Sequence, residues 1–164
     1  MKKLLFALLF LVIGFVAGNG FMLIVFPYIF PPAQVNEAVK NVATKSVYAT
    51  GTFIHPNPSD PVHYGKGNVS IYFDSQKHEI YLHNNFEVGP GPALYIYLSE
   101  SSNIKTKSDF NNAKNFELEK LKSFKGSQVY KVPSNVDIKK IKSVVVWCRA
   151  FKQLITSANL HRKK

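Results

Sequence analysis

Residues 68–86 read NVSIYFDSQKHEIYLHNNF, two runs rich in β-branched and aromatic residues on either side of a polar four-residue break, DSQK. Such runs separated by a short turn predict a β-hairpin. In strict alternation His78 shares one face of the second strand with Ile80 and Leu82. His83 shares the other, more polar face with Glu79 and Tyr81. Working outward, the same texture recurs. VYATGTF (47–53) reads as a strand before the Pro- and His-rich loop HPNPSDPVHYGKG (55–67). After the GPGP break come ALYIYLS (93–99), FELEKLKSF (116–124), SQVYKVP (127–133), KSVVVWCRAF (142–151) and LITSANL (154–160). The polar stretch 101–115 connects two of them. About eight short strands with no heptad, long helix or repeat predict an all-β fold, a single antiparallel β-sandwich or barrel-like domain.

The N-terminal end is different. After MKKLL no charged residue occurs until Glu37, and from Leu4 to Phe30 the one strongly polar side chain is Asn19. This run exceeds the ~20 residues that cross a bilayer core and the about 7–15 of a signal-peptide core. Residues 1–30 are therefore expected to be an uncleaved membrane anchor, with residues 4–30 in the lipid. Lys2 and Lys3 at one end predict a cytoplasmic N-terminus and an extracytoplasmic domain, periplasmic or at the cell surface. Pro31-Pro32 ends the anchor. Val35, Ala38, Val39 and Val42 fall at helical spacing and predict a short amphipathic stalk over 31–46. The β-domain is expected over 47–161, with a basic tail at 162–164.

The chain has a single cysteine, so no internal disulfide forms within it and burial must hold the domain together. Residues 1–100 carry as many acidic as basic side chains; the whole net charge of +11 lies in residues 101–164. Those lysines are scattered, without an arginine cluster, which fits a solvated or anionic-lipid-facing surface and not a nucleic-acid groove. G-x-S-x-G, C-x-x-C, H-E-x-x-H and phosphate-cradling glycine loops are all absent, so no hydrolase or transferase centre is nominated. His55, His63, His78, His83 and His161 lack tight ligand spacing, and no metal site is expected. Asn68-Val69-Ser70 matches a glycosylation sequon. The aromatic residues Tyr72, Phe73, Tyr81, Phe86, Tyr95 and Tyr97 read as core and rim.

Within SVVVWCRAF (143–151) the only Trp and the only Cys of the chain stand side by side. A run so apolar and β-branched predicts a buried strand, in which Trp147 and Cys148 face opposite ways. Trp147 is expected to pack the core. A lone cysteine there is either a small buried hydrophobe or a reactive thiol. Residue chemistry leaves both readings open.

The last third adds a resemblance. Gly126, Gln128, Tyr130, Val132 and Pro133, then Trp147, Cys148 and Phe151, then Ala158 and Leu160 resemble the signature of the DM-thirteen, or electron-transfer DM, domain family. Upstream, Gly51 and Phe53, His63 with Gly65 and Gly67, and Phe86, Gly91, Pro92, Leu94, Tyr97 and Leu98 are similar to further family segments, so the likeness covers about residues 48–160. Thr156 departs from it, standing where a glycine is expected. The resemblance implies a β-sandwich acting in electron transfer, with Cys148 as a redox thiol or the ligand of a cofactor such as haem. A functional thiolate needs a positive or donor group, so His63 or its loop is expected beside Cys148, and a redox or envelope protein is expected as partner. The alternative is a non-catalytic structural or binding β-sandwich with Cys148 as inert core.

Overall fold

The computed structural model describes residues 2–74 and 77–163. The hairpin at 68–86 forms from β3 (Asn68–Asp74) and β4 (Lys77–Leu82), with Val69 opposite Leu82, Ile71 opposite Ile80 and Phe73 opposite His78. Ser75 and Gln76 of its turn lie outside the described residues. Val69, Ile71, Ile80 and Leu82 point inward and are fully buried, as the period-two pattern requires.

Two antiparallel sheets pack face to face around this hairpin. The first adds β1 (Ser46–Thr52), β8 (Gln128–Lys131) and β11 (His161–Arg162) in the order β11-β1-β3-β4-β8. The second orders β10 (Gln153–Asn159), β9 (Ser143–Cys148), β6 (Leu94–Ser99) and β7 (Asn115–Lys120). A third, two-stranded sheet pairs β2 (Gly65–Lys66) with β5 (Glu87–Val88). The eleven strands among the described residues exceed the expected eight because β2, β5 and β11 are two-residue pairings inside segments that read as loop or tail. An all-β sandwich results, its core filled from both inner faces by residues such as Ile71, Ile80, Ile96, Leu98, Val144 and Val146.

All six residues of β9 are buried, because both of its faces are covered. Val144, Val146 and Cys148 face the other sheet. Val145 and Trp147 face outward into a second cluster with Ile104, Phe110 and Leu154. Trp147 thus packs a satellite core and not the inter-sheet core that the sequence led us to expect. Its lid is α3 (Lys107–Asn111), whose Phe110 stacks on the indole at 4.1 Å between centroids. A capping box starts this helix: the Thr106 hydroxyl accepts from the Asp109 N–H, and the Asp109 carboxylate accepts from the Thr106 N–H.

At the N-terminus, α1 (Lys2–Gly20) continues through a π-helical turn, Phe21–Val25, into α2 (Phe26–Ile29). Together, Lys2–Ile29 are long and apolar enough to cross a membrane. The helical stalk expected from Val35, Ala38, Val39 and Val42 does not form. Pro31-Pro32 start an extended segment, and Val35 N–H and Glu37 N–H donate to the carbonyls of Lys125 and Ser127. Burial alternates there, with Val35, Glu37 and Val39 half-buried. Gly126 makes this contact possible: it holds φ +92°, and a Cβ on it would meet the Val35 carbonyl oxygen at 2.1 Å. Glu37 completes the clasp, accepting from Lys122 Nζ at 2.8 Å and from the Val129 N–H at 2.7 Å.

Candidate functional site

β9 ends at Cys148, where Leu94 of β6 and Gln153 of β10 flank it in register. The thiol is free and the residue is 1 % exposed, within the inter-sheet core. It nevertheless lies at the end of its strand and lines a small cleft of about 100 Å³ with Val62, His63, Pro90, Gly91, Pro92, Phe151, Ile155 and, from the N-terminal helix, Leu23 and Tyr28.

His63 reaches this cleft through the architecture of its loop. Asp60 Oδ1 accepts from the backbone N–H groups of Val62 and His63, at 2.9 and 3.1 Å, folding the loop into a tight turn. Asp60 Oδ2 lies 2.6 Å from His63 Nδ1. The His63 hydrogen bond, aided by those two backbone donors, pulls the Asp60 carboxyl down from 3.8 to about 2. An ionised Asp60 fixes the tautomer: Nδ1 carries its proton toward the carboxylate, and the neutral ring keeps its lone pair on Nε2. Nε2 has no hydrogen-bond partner among the described residues. Gly89 holds the loop against the sandwich. Its N–H donates to the Tyr64 carbonyl at 3.0 Å, and a Cβ there would meet the Val62 carbonyl oxygen at 1.8 Å.

The other histidines do not line the cleft. His83 Nε2 is 2.8 Å from Ser70 Oγ on the outer face of the first sheet. His78 packs between Tyr48 and Phe73. Burial lowers the pKa of both rings, favouring the neutral form. His55 Nε2 contacts the Asp60 carbonyl, and His161 pairs with Thr50. Arg149, next to the cysteine, is turned away: its guanidinium pairs with Glu117 at 3.1 Å and covers the Tyr95 ring. Among the described residues no three His, Cys, Asp or Glu side chains gather as metal ligands would.

Several motif residues singled out from the sequence are architectural. Gln128 is fully buried, and its Oε1 accepts from the Tyr130 hydroxyl at 2.6 Å and from the Lys122 N–H at 3.1 Å. Phe53 meets Phe86 edge-on at 5.1 Å. Thr156 lies within β10 beside a bulge, where its hydroxyl donates to the Ile54 carbonyl and its side chain fills the space above Gly65. Sequence reasoning missed Asp60, Leu23, Tyr28 and Ile155. The D-x-x-H spacing of Asp60 and His63 was the one local signal available; the others are brought in by long-range packing.

The cleft does not fit a haem. Cofactor-sized pockets run to roughly 300–1,000 Å³, and Cys148 stands at the edge of about 100 Å³ lined by Pro90, Pro92, aliphatic and aromatic side chains and His63. What the arrangement does supply is a thiol and an Asp-oriented imidazole in one largely apolar cavity.

Fold and site together define an antiparallel β-sandwich with one thiol cleft, carried behind an apolar N-terminal helix. The match to the family model Electron transfer DM13, over residues 58–160, is more specific, and the chain belongs to that family. No curated protein and no solved structure matches the chain.

Proposed function

We propose that this chain is a membrane-tethered electron-transfer module whose β-domain lies outside the cytoplasm, with Cys148 as its redox-active sulfur. The observation that carries the reading is the shared cleft of Cys148 and His63, with Asp60 holding the far side of the imidazole. In the proposed step the S–H bond of Cys148 breaks, one electron leaves to a one-electron acceptor in a partner protein, and the proton passes to His63 Nε2. The sulfur is left as a thiyl radical, and the imidazolium is stabilised by Asp60. Re-reduction by a one-electron donor returns the proton. The apolar helix Lys2–Ile29 supports the tether, and Lys2 and Lys3 support an inward N-terminus. Family membership supports electron transfer as the activity.

A second reading has its own observation: Cys148 is 1 % exposed inside the inter-sheet core, as an inert structural cysteine would be. Alkylation of the full chain in detergent by a small neutral thiol reagent separates the two. The redox reading expects Cys148 to be modified in the folded state, and His63→Gln to slow the reaction near neutral pH by on the order of tenfold or more. A thiol that reacts only after denaturation, with no response to His63→Gln, would leave the structural role.

A further inference from the structure

The cleft at Cys148 is shared by residues whose depth relative to a bilayer can be worked out. With Lys3 at the inner boundary, the twenty residues to Leu23 rise ~30 Å as a helix, the thickness of the hydrocarbon core. Leu23 then stands at the outer boundary, and Leu23 lines the cleft. Val62 and Phe151 line it too, and they are 38 % and 51 % exposed. Beyond Phe30, the described residues expose only two other large apolar side chains by a third or more, Val42 and Phe73. Phe151 sits at the tip of the Arg149–Lys152 turn between β9 and β10, where Lys152 adopts φ +49°.

Two further clefts flank the same helix end. One, of about 260 Å³, is lined by Phe26, Phe30, Leu94 and Phe124 together with Lys120 and Lys122. The other, of about 410 Å³, is lined by Tyr28, Pro31, Pro32 and Phe124 with Lys125. Lys122 and Lys125 are paired with Glu37 and Glu87. Lys120 and Lys152 have no ion-pair partner among the described residues.

We infer that this end of the domain is a membrane seat: Phe151 and Val62 insert at the outer boundary of the bilayer, Lys120 and Lys152 meet anionic lipid headgroups, and the mouth of the Cys148 cleft opens onto lipid. The inference rests on the proposed membrane tether. It commits to the outer leaflet as the surface that covers the exposed apolar residues. Insertion of aromatic and aliphatic side chains beside lysines is the chemistry of interfacial binding. One consequence is functional: whatever exchanges electrons with Cys148 meets it at the membrane surface.

The test uses the full chain reconstituted in vesicles of mixed phosphatidylcholine and phosphatidylglycerol, with Phe151→Trp as a depth probe. The parent, whose Trp147 is buried on the opposite face of β9, is the control. Emission from position 151 is expected to shift to the blue, to be quenched by lipids brominated near the headgroup, and to be spared by aqueous iodide. Replacing Lys120 and Lys152 by Gln should reduce the lipid quenching to its level in phosphatidylcholine alone. Cys148 should react about tenfold faster with a lipid-soluble maleimide than with a charged one. A chain that floats with the vesicles while position 151 is quenched by iodide and not by brominated lipid overturns the seat and leaves the tether standing. Failure to float overturns both. Unchanged quenching in the lysine variants overturns the anionic headgroup contact. Quenching at 151 with a thiol inert to both reagents upholds insertion of the domain, but overturns the lipid-facing mouth of the cleft and the redox reading.

Discussion

Cys148 and Trp147 are neighbours in sequence and occupy different compartments of the molecule. The pleat of β9 sends the sulfur toward the inter-sheet core and the indole toward the satellite cluster under α3. The side chain that gives the thiol a chemical context comes from elsewhere, His63, and its orientation is set by Asp60. The charge state of Asp60 is therefore the residue-level test of the cleft's electrostatics. Its folded pKa of about 2 lies below the unfolded 3.8, so its contribution to stability is fully present above pH 3.8 and is lost as the pH falls through about 2. A carboxyl titration followed by nuclear magnetic resonance should place the Asp60 midpoint near 2 in the native chain, and His63→Gln should raise it toward 3.8. A native midpoint already at 3.8 would show that the Asp60–His63 contact does not form in solution. Cys148 and His63 could both be singled out in the sequence, one as the lone thiol and one as a motif position, and the structure brings them to one cleft. Asp60 was not, because a carboxylate in a Pro-rich loop looks like ordinary turn chemistry until the fold closes the turn on the imidazole.

Strands were the elements most readable from sequence, since alternation in 68–86 and the unbroken apolar run in β9 have one physical cause each: one face buried in the hairpin, both faces buried in β9. Two elements were not. Residues 31–39 carry apolar side chains at helical spacing, yet their N–H groups pair with the carbonyls around Gly126, and Pro31-Pro32 deny the first turn its donors. The polar segment 101–115 hid α3, although Thr106 and Asp109 stand at capping-box spacing. That helix matters because it buries Trp147, which is 5 % exposed and stacked on Phe110. Trp147→Ala removes the centre of the satellite cluster and should destabilise the domain by about 3–5 kcal/mol, the usual range for a large buried aromatic. Urea unfolding measures this directly. A variant as stable as the parent would mean that α3 does not cover β9 in solution.

Taken as a whole, the molecule joins a β-sandwich to a helix able to span a bilayer, and the join is where the candidate site lies. Leu23 and Tyr28 reach the cleft from the N-terminal helix, while Glu37 and Lys122 clasp the extended segment to the domain. The sandwich and its thiol were visible in the sequence; the seating of the helix end over that thiol was not, because it depends on contacts between segments far apart in the chain. Electron exchange at Cys148 is tested most directly by voltammetry of the full chain in a supported lipid film. The native protein should give a one-electron wave that Cys148→Ser abolishes while circular dichroism shows the variant still folded. No wave in the native protein, or a wave that survives in Cys148→Ser, would contradict it.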